Sequence, residues 1–348
     1  MESSVSELKC VNCGAPLRFD PETGRSVCDW CGSVFEIPEG GFEPIPVDER
    51  PGSLEAEELP VYLCNSCGAE VIADAVSASL NCPYCGNNIV LTDKVSGGLK
   101  PDGVIPFAID KKSLPAAVQS FYKGKKLLPF GFFKESNITD VAGVYVPFWL
   151  YDCYLDGTAT FEGHTTSTTR EGDYVTTETS YYELTRGVNV DFKDIPVDGS
   201  ARLEDALMDS LEPFDLTGIK PFRADYLAGF FAERFDKGSE EVRKRAEDRM
   251  VTSAMSVIKS EASKSYSGLT ELSRDIDAHP TATRYVLLPV YTFNVSHKGQ
   301  KYSFAMNGQT GKVVGHVPTD KGVKALRNLG IFAAVFAILM LIISLVSC

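Results

Sequence analysis

Eight of the ten cysteines in this sequence fall into two quartets with one spacing. The quartets are Cys10, Cys13, Cys28 and Cys31 and, fifty-four positions later, Cys64, Cys67, Cys82 and Cys85. In each, two Cys-x-x-Cys pairs are separated by fourteen residues, which lets four thiolates reach one tetrahedral ion at about 2.3 Å. The spacing therefore predicts two small metal sites, and metal binding must supply much of the folding energy around them.

A glycine follows every cysteine pair. These glycines are Gly14, Gly32, Gly68 and Gly86. In a thiolate knuckle the backbone turns back so that its N–H groups point at the sulfurs, and glycine tolerates the positive φ of that turn. We therefore predict Zn²⁺, two ions per chain. Four protein thiolates leave no open position for water or substrate, so the sites are predicted to be structural and not catalytic.

Two alternatives to zinc remain open. The cysteines of a small domain can form a disulfide framework, although nothing at the N-terminus marks secretion. Iron is the second alternative, because Cys82-Pro83-Tyr84-Cys85-Gly86 is similar to one knuckle of a rubredoxin. The fourteen-residue spacer is shorter than rubredoxins use, which favours zinc over iron.

The C-terminus carries the most apolar segment of the chain. Residues 329–347 contain no charged side chain, and a helix of this length at 1.5 Å per residue matches the hydrocarbon layer of about 30 Å. Basic residues precede it, namely Lys312, Lys321, Lys324 and Arg327. The pattern predicts one transmembrane helix in the cell membrane, with Met1 to Asn328 in the cytoplasm. The alternative is a buried core helix or an oligomerisation helix, although core helices seldom lack a polar face.

The composition divides the remainder into four parts. Residues 8–37 and 62–91 form the two predicted zinc ribbons, and residues 38–61 form an acidic linker rich in proline and glycine. Residues 104–318 mix strand and helix signals. The fold class is therefore α+β: two tandem four-cysteine zinc ribbons, a larger mixed α+β domain and one C-terminal transmembrane helix.

Within residues 104–318 the hydrophobic pattern predicts individual elements. Helices are expected from Ser113, as a capping residue, to Lys123, and over 203–211, 224–235 and 240–266. Strands are expected from Gly143, in a Thr-rich hairpin over 158–169 and 174–184, and over 285–295, 301–306 and 313–317. An internal echo relates Pro147–Gly157 to Pro289–Gly299, each a proline, an aromatic-rich strand and a turn glycine. Such an echo indicates either a duplicated strand motif or chance.

The charge distribution argues against nucleic acid as a partner. The chain carries a net charge of −13, and Met1 to Val95 contain five basic and sixteen acidic residues. A nucleic-acid surface must instead neutralise phosphates with Lys and Arg. An ATP-driven helicase is also disfavoured. The nearest approach to a phosphate-binding loop, around Asn307, has Met306 at the first glycine position and Val313 at the hydroxyl position.

No catalytic constellation is predicted. The four histidines (His164, His279, His297 and His316) have no spacing that suggests a shared metal. Cys153 lies in an aromatic strand and is predicted to be a small core residue. Cys348 is the last residue, and Asp198-Gly199 is predicted to form a turn before a helix.

Several segments together resemble one bacterial family. Besides the ribbon pair and the terminal helix, they are LKPDGVIPF from Leu99, GVYVPFWLYD from Gly143, SLEPFD from Ser210 and FAMNGQTGKVVG from Phe304. The chain is similar to membrane proteins of unknown function often labelled as TFIIB-type zinc ribbons or as primosomal replication-restart helicases. The resemblance covers nearly the whole chain, but it implies no reaction that can be assigned to particular residues.

These observations predict a membrane-anchored, cytoplasm-facing protein that binds or scaffolds another protein through its zinc ribbons. One alternative is a nucleic-acid-associated ribbon protein without helicase activity, in transcription or replication. Another is a redox or enzymatic module in the larger domain. The sequence does not specify an oligomeric state.

Overall fold

The computed structural model describes residues 10–13, 15, 17–37, 100–123, 125, 129, 131–132, 134 and 137–318. It also describes the backbone of four short strands between residues 61 and 89 and a few positions between 322 and 336. The second cysteine quartet, the predicted linker up to residue 60 and most of the predicted transmembrane helix lie outside the described residues. Within the described part of the chain, no helix is both long and apolar enough to cross a membrane.

The fold is mixed α+β and consists mostly of sheet. A three-stranded sheet contains β1 (Arg18–Asp20), β2 (Arg25–Val27) and β3 (Val34–Phe35). A ten-stranded sheet contains β4 (Val61–Leu63), β5 (Glu70–Ile72), β8 (Gly103–Val104), β9 (Ile138–Glu171), β10 (Tyr174–Asp198), β11 (Lys220–Pro221), β12 (Phe231–Glu233), β13 (Ser267–His297), β14 (Gln300–Asn307) and β15 (Val313–Gly315). Strands β6 (Leu80–Asn81) and β7 (Asn88–Ile89) form a separate pair. The α-helices are α1 (Leu114–Tyr122), α2 (Asp205–Leu211) and α3 (Ser239–Ala262).

Strands β9 and β13 pair antiparallel at the centre of the large sheet, and both faces of this centre are buried. Side chains alternate between the faces because successive residues of a strand point to opposite sides. Tyr145, Trp149 and Tyr151 belong to the cluster that includes apolar residues of α1 and α3. Val146 and Phe148 belong to the opposite cluster with residues of α2. Burial on both faces explains why the sequence from Gly143 is almost continuously apolar.

The central strands are related by an approximate two-fold axis. Val146 lies opposite Leu288, Pro147 opposite Leu287 and Tyr145 opposite Pro289. The numbers of Val146 and Leu288 differ by 142, which is also the separation of Pro147 and Pro289 in the sequence echo. The two echo segments are therefore equivalent strands that pair with each other.

The neighbouring strands follow the same symmetry. Strand β12 runs parallel to β9, with Phe231 beside Val144, and β8 runs parallel to β13, with Gly103 beside Val286. Val144 and Val286 are again 142 residues apart. The structure thus contains a repeated unit of short strand, helix, long strand and returning strand. The first half contains β8, α1, β9 and β10, and the second contains β12, α3, β13 and β14.

The hydrogen bonds at the end of each returning strand are also repeated. The Gly199 N–H donates to Pro147 O over 2.8 Å, and the Gly308 N–H donates to Pro289 O over 2.8 Å. The Gly199 carbonyl accepts two N–H bonds, both 3.0 Å, from Asp236 and Lys237. The Gly308 carbonyl likewise accepts two bonds of 3.0 Å, from Ala108 and Ile109. We call these equivalent places the first junction, around Phe107 and Gly308, and the second junction, around Phe235 and Gly199.

Aromatic side chains complete both junctions in the same way. The Tyr291 hydroxyl donates to Ile109 O over 2.8 Å, and the Trp149 indole N–H donates to Lys237 O over 2.9 Å. Tyr291 and Trp149 occupy equivalent positions of β13 and β9. Backbone, hydrogen bonds and aromatic contacts therefore all support a structural duplication as the origin of the sequence echo.

The repeat is interrupted by an extension beyond the central strands. Beyond Gly157, β9 and β10 continue as a hairpin to the turn at residues 172–173, and the N-terminal part of β13 adds a third strand as far as the Ser267–His164 pair. Helix α3 contacts all three strands. The hairpin residues 166–179, beyond the third strand, are all exposed.

The helices predicted over 113–123, 203–211 and 240–266 are confirmed within a few residues as α1, α2 and α3, as are the strands predicted over 301–306 and 313–317. The Thr-rich hairpin is also present, but β10 continues beyond its predicted end at 184 to Asp198. The strand predicted over 285–295 is part of β13, which begins much earlier, at Ser267. The predicted helix over 224–235 is wrong. It is a 3₁₀ turn (Ala224–Leu227) followed by β12, because Gly229 has φ +85° and Phe231 and Ala232 pair with β9. Ser113 makes no capping hydrogen bond; instead, the Asp110 side chain accepts from the Lys112 N–H in the preceding 3₁₀ turn.

Both cysteine-containing regions contact the large domain. Strand β5 pairs with β12, so the hairpin of β4 and β5 extends the large sheet. In the first ribbon, the Phe19 N–H donates to Ala228 O over 3.0 Å, and the Phe19 side chain is 1% exposed within the main core cluster. The sheet therefore continues into the region of the second ribbon, and the first ribbon packs on one of its faces.

Candidate metal centre

The first cysteine quartet converges at one end of the three-stranded sheet. Cys10 and Cys13 flank a turn before β1, and Cys28 and Cys31 flank a turn between β2 and β3. All four sulfur atoms lie within 4.8 Å of one another. The Cys10–Cys31 and Cys13–Cys28 sulfur distances are both 3.5 Å. Among the described residues, this is the group of cysteine, histidine and acidic side chains that could hold a metal ion.

The two turns share one backbone pattern. The Cys10 N–H donates to Ala15 O over 2.7 Å, and the Cys28 N–H donates to Ser33 O over 2.9 Å, in each case five residues ahead. In the second turn the Gly32 N–H also donates to Cys28 O over 2.9 Å, and Gly32 has φ +72°. A left-handed residue at this position is what the knuckle glycine was predicted to supply, so this part of the prediction is confirmed at Gly32.

The electrostatics of the quartet separate the two exposed thiols. The Ser33 hydroxyl, 3.1 Å from the Cys31 sulfur, and the Ser33 N–H lower the pKa of Cys31 to about 6. For Cys13 the Ala15 N–H acts in the lowering direction, but desolvation and the three neighbouring thiols raise its pKa to about 12. Four thiolates at this separation repel one another, and a divalent cation removes that repulsion.

The donor set and its dimensions fit a closed metal site. Four sulfurs at about 2.3 Å from one tetrahedral ion are about 3.8 Å apart, and the distances of 3.5 to 4.8 Å bracket this value. Thiolate ligands suit zinc or iron. Cys10 and Cys28 are buried, whereas Cys13 and Cys31 face solvent. An ion held by all four would have no open position for a substrate.

The outer surface of this ribbon is apolar at its tips. Val11 and Trp30 lie between the two cysteines of their respective pairs and are 85% and 86% exposed. Val34 in β3 is 52% exposed. The ribbon carries two arginines among its described residues, and each forms an ion pair with a carboxylate of the same ribbon: Arg18 with Asp29 at 3.1 Å and Arg25 with Glu36 at 3.0 Å.

The other predicted residues are placed as follows. Cys64, Cys67, Cys82 and Cys85 lie outside the described residues. Cys153 is 2% exposed in the core, which confirms its predicted role. His279 is 2.8 Å from Asp156, while His164 lies beside Tyr181 and His297 beside Phe132. The structure brings none of these three histidines into a metal cluster.

The large domain contains a buried charged network that the sequence did not predict. Asp198 is fully buried at the end of β10, and its Oδ1 accepts from Arg245 of α3 over 2.7 Å. Arg249, one turn later on α3, binds both oxygens of Glu212 at 2.9 and 2.8 Å. The signal available in the sequence was Arg245 and Arg249 at i and i+4 on one helix. That spacing is common on solvated helix faces, and such residues join buried carboxylates only through tertiary packing.

Burial is the main cause of the shifted pKa values of two acids in this network. Desolvation raises the pKa of Asp198 above its ordinary value although Arg245 acts in the opposite direction. Desolvation also raises the pKa of Glu212, and Arg249 again opposes it. The arginines bridge α3 to α2 and β10, so the network links two helices that pack on opposite faces of the sheet.

A comparison with known proteins places the chain in a family. It is 36% identical over 341 residues to the uncharacterized protein YdjG of Bacillus subtilis (strain 168), an alignment that covers 97% of each chain. No protein-family model matches the chain. No solved structure matches it either. Identity of this extent over nearly the full length shows common descent, and the chain therefore belongs to the same protein family as YdjG of Bacillus subtilis.

Proposed function

We propose that this protein is a membrane-anchored, cytoplasm-facing binding protein whose zinc ribbons present a recognition surface to another protein. The observation that carries the proposal is Trp30, which is 86% exposed between two cysteines of the first quartet. The resemblance to zinc-ribbon membrane proteins, noted from the sequence motifs, is part of the same proposal. The proposal includes no catalytic role for the ribbons.

An exposed tryptophan beside a rigid metal site suits protein recognition. Tryptophan is enriched among the residues that contribute most to protein–protein binding, because it buries a large area in one pocket of a partner. Val11 is equally exposed on the other pair of the same quartet. A metal ion that fixes both turns would hold these side chains in place before binding, which reduces the entropy lost on association.

Zinc is the proposed metal in both quartets. The full-length protein, purified without added metal, is expected to contain two zinc ions per chain and to show no visible absorption band. Cys10→Ser is expected to lower the content to one zinc per chain, while the second quartet retains its ion. Iron, recognised by a visible absorption band, would contradict the zinc assignment and favour the redox alternative. Less than one metal per chain in the unsubstituted protein would contradict the metal proposal.

A nucleic-acid partner is less well supported. Arg18 and Arg25 are both engaged by carboxylates of their own ribbon, and residues 1–95 contain five basic against sixteen acidic residues. Phosphate binding requires an excess of positive charge at the surface. Salt-dependent binding of DNA or RNA by the full-length protein at about 50 mM salt would favour this alternative.

The anchor proposal rests on the predicted helix at residues 329–347. The described residues there include four helical apolar side chains that face solvent: Leu329, Phe332, Val335 and Phe336, which are 50–69% exposed. Such side chains favour a lipid or protein environment. The full-length protein is expected in the membrane fraction after carbonate washing, and a variant ending at Asn328 in the soluble fraction. A full-length protein released by carbonate would contradict the anchor.

A photo-crosslinking amino acid in place of Trp30 tests the recognition surface in cells. We expect one discrete adduct whose protein component is identified by mass spectrometry and which disappears when Cys10→Ser is added. The matched control carries the crosslinker at Val257 of α3, which is 64% exposed and lies outside the ribbon. Adducts that are the same at both positions, or that survive loss of the quartet, would contradict a ribbon-specific partner.

A further inference from the structure

The hairpin of β1 and β2 brings the cysteine pairs of the first ribbon together, but the ribbon has almost no apolar core. Among its described residues, the one large apolar side chain that is buried is Phe19. Phe19 points into the large domain, where its ring centroid lies 5.4 Å from that of Tyr226 and 6.5 Å from that of Phe230. The ribbon therefore depends on two sources of stability besides its short strands: a metal ion in the quartet and the burial of Phe19 in the large domain.

The backbone of the ribbon lies against the loop that leads into β12. The Phe19 N–H donates to Ala228 O over 3.0 Å. A Cβ at Gly229 would lie 3.0 Å from the Arg18 Cγ, so a glycine at this position permits the close approach of the Arg18 side chain. Residues 224–230 therefore contact β1 of the ribbon immediately before the chain enters the large sheet as β12.

Arg18 connects this contact to the cysteines. Its guanidinium donates to both carboxylate oxygens of Asp29, over 3.1 and 3.2 Å. Asp29 lies between Cys28 and Cys31 in the second metal-binding turn. A guanidinium–carboxylate pair with two hydrogen bonds fixes the relative position of both side chains. A metal ion that holds Cys28 and Cys31 in place would therefore also hold Arg18 against Gly229.

Two features weaken the contact between the ribbon and the large domain. Ser26 lies directly opposite Phe19 in the pairing of β1 and β2, so both side chains are on the same face of the ribbon. Ser26 is 3% exposed, and its hydroxyl has no hydrogen-bond partner within the part of the chain that the structure describes. A buried hydroxyl without a partner lowers the stability of the contact. An open cleft also separates Ile37 of the ribbon from Ile105 of the large domain, so the two surfaces are not packed over their whole extent.

We propose that the first cysteine quartet is energetically coupled to the large domain, so that metal binding stabilises the docked ribbon and loss of the metal releases it. The inference rests on the metal that is proposed above for this quartet. Coupling between two binding events is reciprocal, so docking of Phe19 also strengthens metal binding. Release would uncover the rings of Tyr226 and Phe230, and Trp30 would no longer be held at a fixed position relative to the sheet. The quartet then regulates the proposed recognition surface as well as supporting it.

Hydrogen–deuterium exchange of the full-length protein tests the effect of the metal on the large domain. Cys10→Ser is compared with the unsubstituted protein, and the zinc content of both is measured in parallel. Residues 224–230 are expected to exchange about tenfold faster in the variant, because their contacts with Phe19 and Arg18 are lost. Residues 205–211 of α2, which pack on the opposite face of the sheet from Phe19, are expected to be unchanged.

The outcomes of this experiment are distinct. Loss of one zinc ion with unchanged exchange in residues 224–230 would overturn the coupling and leave the proposed metal intact. Faster exchange in residues 205–211 as well would also overturn it, because the variant would then be unfolding generally. Absence of zinc from the unsubstituted protein would contradict the proposed metal itself, and the coupling with it.

The reciprocal effect is measured as the zinc affinity of the first quartet, by competition with a chromogenic chelator. Full-length protein with Cys64→Ser is used, because this change removes a ligand from the second quartet. Phe19→Ala is expected to weaken zinc binding about tenfold, although no sulfur ligand is altered. The matched control is Val34→Ala at a position of β3 that is 52% exposed, and it is expected to leave the affinity unchanged.

Ser26→Ala is expected to have the opposite effect. It removes the hydroxyl without a partner from the docking face, so zinc binding is expected to become about threefold stronger. The change is small and removes no hydrogen bond within the described residues. Unchanged or weaker zinc binding by Ser26→Ala would overturn the proposal even if Phe19→Ala unfolds.

Discussion

The two halves of the large sheet share a backbone arrangement but differ in the side chains placed around it. At both junctions a glycine carbonyl accepts two N–H bonds of 3.0 Å. At both, an aromatic side chain also donates to a backbone carbonyl of the segment that connects the short strand to the helix. Around this common frame, the first junction is mainly apolar and borders an open cleft, whereas the second contains Arg202, Glu233 and Asp236. The comparison shows that the backbone hydrogen bonds define the repeat, while the side chains determine what each half contains.

The residue before each junction glycine illustrates the difference. Asp198 and Asn307 are equivalent, and both are fully buried. Asp198 accepts from Arg245 over 2.7 Å, while the Asn307 amide nitrogen donates to Leu211 O over 3.1 Å and to Pro213 O over 3.4 Å. The Asn307 amide oxygen also accepts the N–H groups of Gln309 and Thr310, each over 2.9 Å. Asn307 therefore donates and accepts, whereas the Asp198 carboxylate only accepts. Exchanging the two residue types gives the most severe test of the comparison.

We expect Asn307→Asp to destabilise the protein most, by about 4 kcal/mol at pH 7. One oxygen of a carboxylate there would keep the N–H bonds from Gln309 and Thr310, but the other would face two carbonyl oxygens. With no arginine partner the buried charge is uncompensated, which costs about 3–5 kcal/mol. Asp198→Asn is expected to cost less than about 2 kcal/mol, because an amide oxygen can still accept from Arg245. Urea unfolding of both variants measures the difference. Equal losses would show that the two sites are not chemically distinct.

Replacing a junction glycine by alanine is also expected to destabilise the first junction more than the second. A Cβ at Gly308 would lie 2.5 Å from a Phe107 ring carbon and 2.9 Å from Pro289 Cβ. At Gly199 the nearest atoms are at 3.1 Å or more. We expect Gly308→Ala to cost about 3 kcal/mol and Gly199→Ala about 1 kcal/mol, because Phe107 is packed on three sides and overpacking strains the core. The unfolding free energies of both variants measure the difference, and the reverse order would contradict the closer approach of neighbouring atoms at Gly308.

The aromatic donors provide a third matched pair. Tyr291→Phe removes one hydroxyl and leaves the ring, so the loss is expected to be about 1 kcal/mol, the contribution of one hydrogen bond. Trp149→Phe removes the indole N–H and also part of a buried side chain, and we expect a loss of about 2–3 kcal/mol. The pair is compared by chemical denaturation. A Tyr291→Phe variant as stable as the parent would mean that the Ile109 carbonyl finds another donor.

The pH dependence of stability separates Asp198 from its neutral counterpart. Burial raises the pKa of Asp198 above 3.8 in the folded state, so the folded protein binds this proton more tightly than the unfolded chain. The unfolding free energy therefore falls as the pH rises from the ordinary value of 3.8 through the raised folded pKa, and this contribution is constant outside that window. Asp198→Asn removes it. The stability of the variant relative to the parent is expected to increase with pH across the window, and a constant difference would contradict this expectation.

The smallest effect is expected in the extension that only the first half has. Residues 166–179 are exposed and lie beyond the last pair that β9 makes with β13. Replacing them by Asn-Gly, which suits a two-residue hairpin turn, is expected to change the unfolding free energy by less than about 1 kcal/mol. Thermal unfolding of the shortened chain tests this. A large loss would show that this segment contacts a part of the protein outside the described residues.

The sequence predicted the convergence of the first cysteine quartet because its members are close in the chain. Cys10 and Cys13, and likewise Cys28 and Cys31, are three residues apart, and β1 and β2 form one short hairpin between the pairs. The ends of that hairpin bring the pairs together without help from the rest of the chain. The Thr-rich hairpin and helix α3 were predictable for the same reason, since each repeats one local periodicity.

The remaining predictions depended on contacts between distant segments. Strand β12 was predicted as helix because its local composition favours a helix, whereas the free edge of β9 recruits it as a strand. The open cleft at the first junction is lined by Phe19 and Ile37 together with Ile105 and Phe107, which lie more than sixty residues further along the chain. The buried partnership of Asp198 with Arg245 spans 47 residues. The local hydrophobic pattern of a sequence does not indicate which distant residues will be in contact.

By itself, the sequence determined the four-sulfur site, the order of most strands and helices, and the acidic character of the chain. These follow from spacing and periodicity, which act over a few residues at a time. Only the tertiary structure decided that the echo of Pro147–Gly157 in Pro289–Gly299 is a two-fold repeat, since the register of β9 against β13 arises when both faces of the pair are buried. It also decided that one junction is ionic and the other mainly apolar, because the energy of a buried side chain depends on the neighbours that packing brings to it.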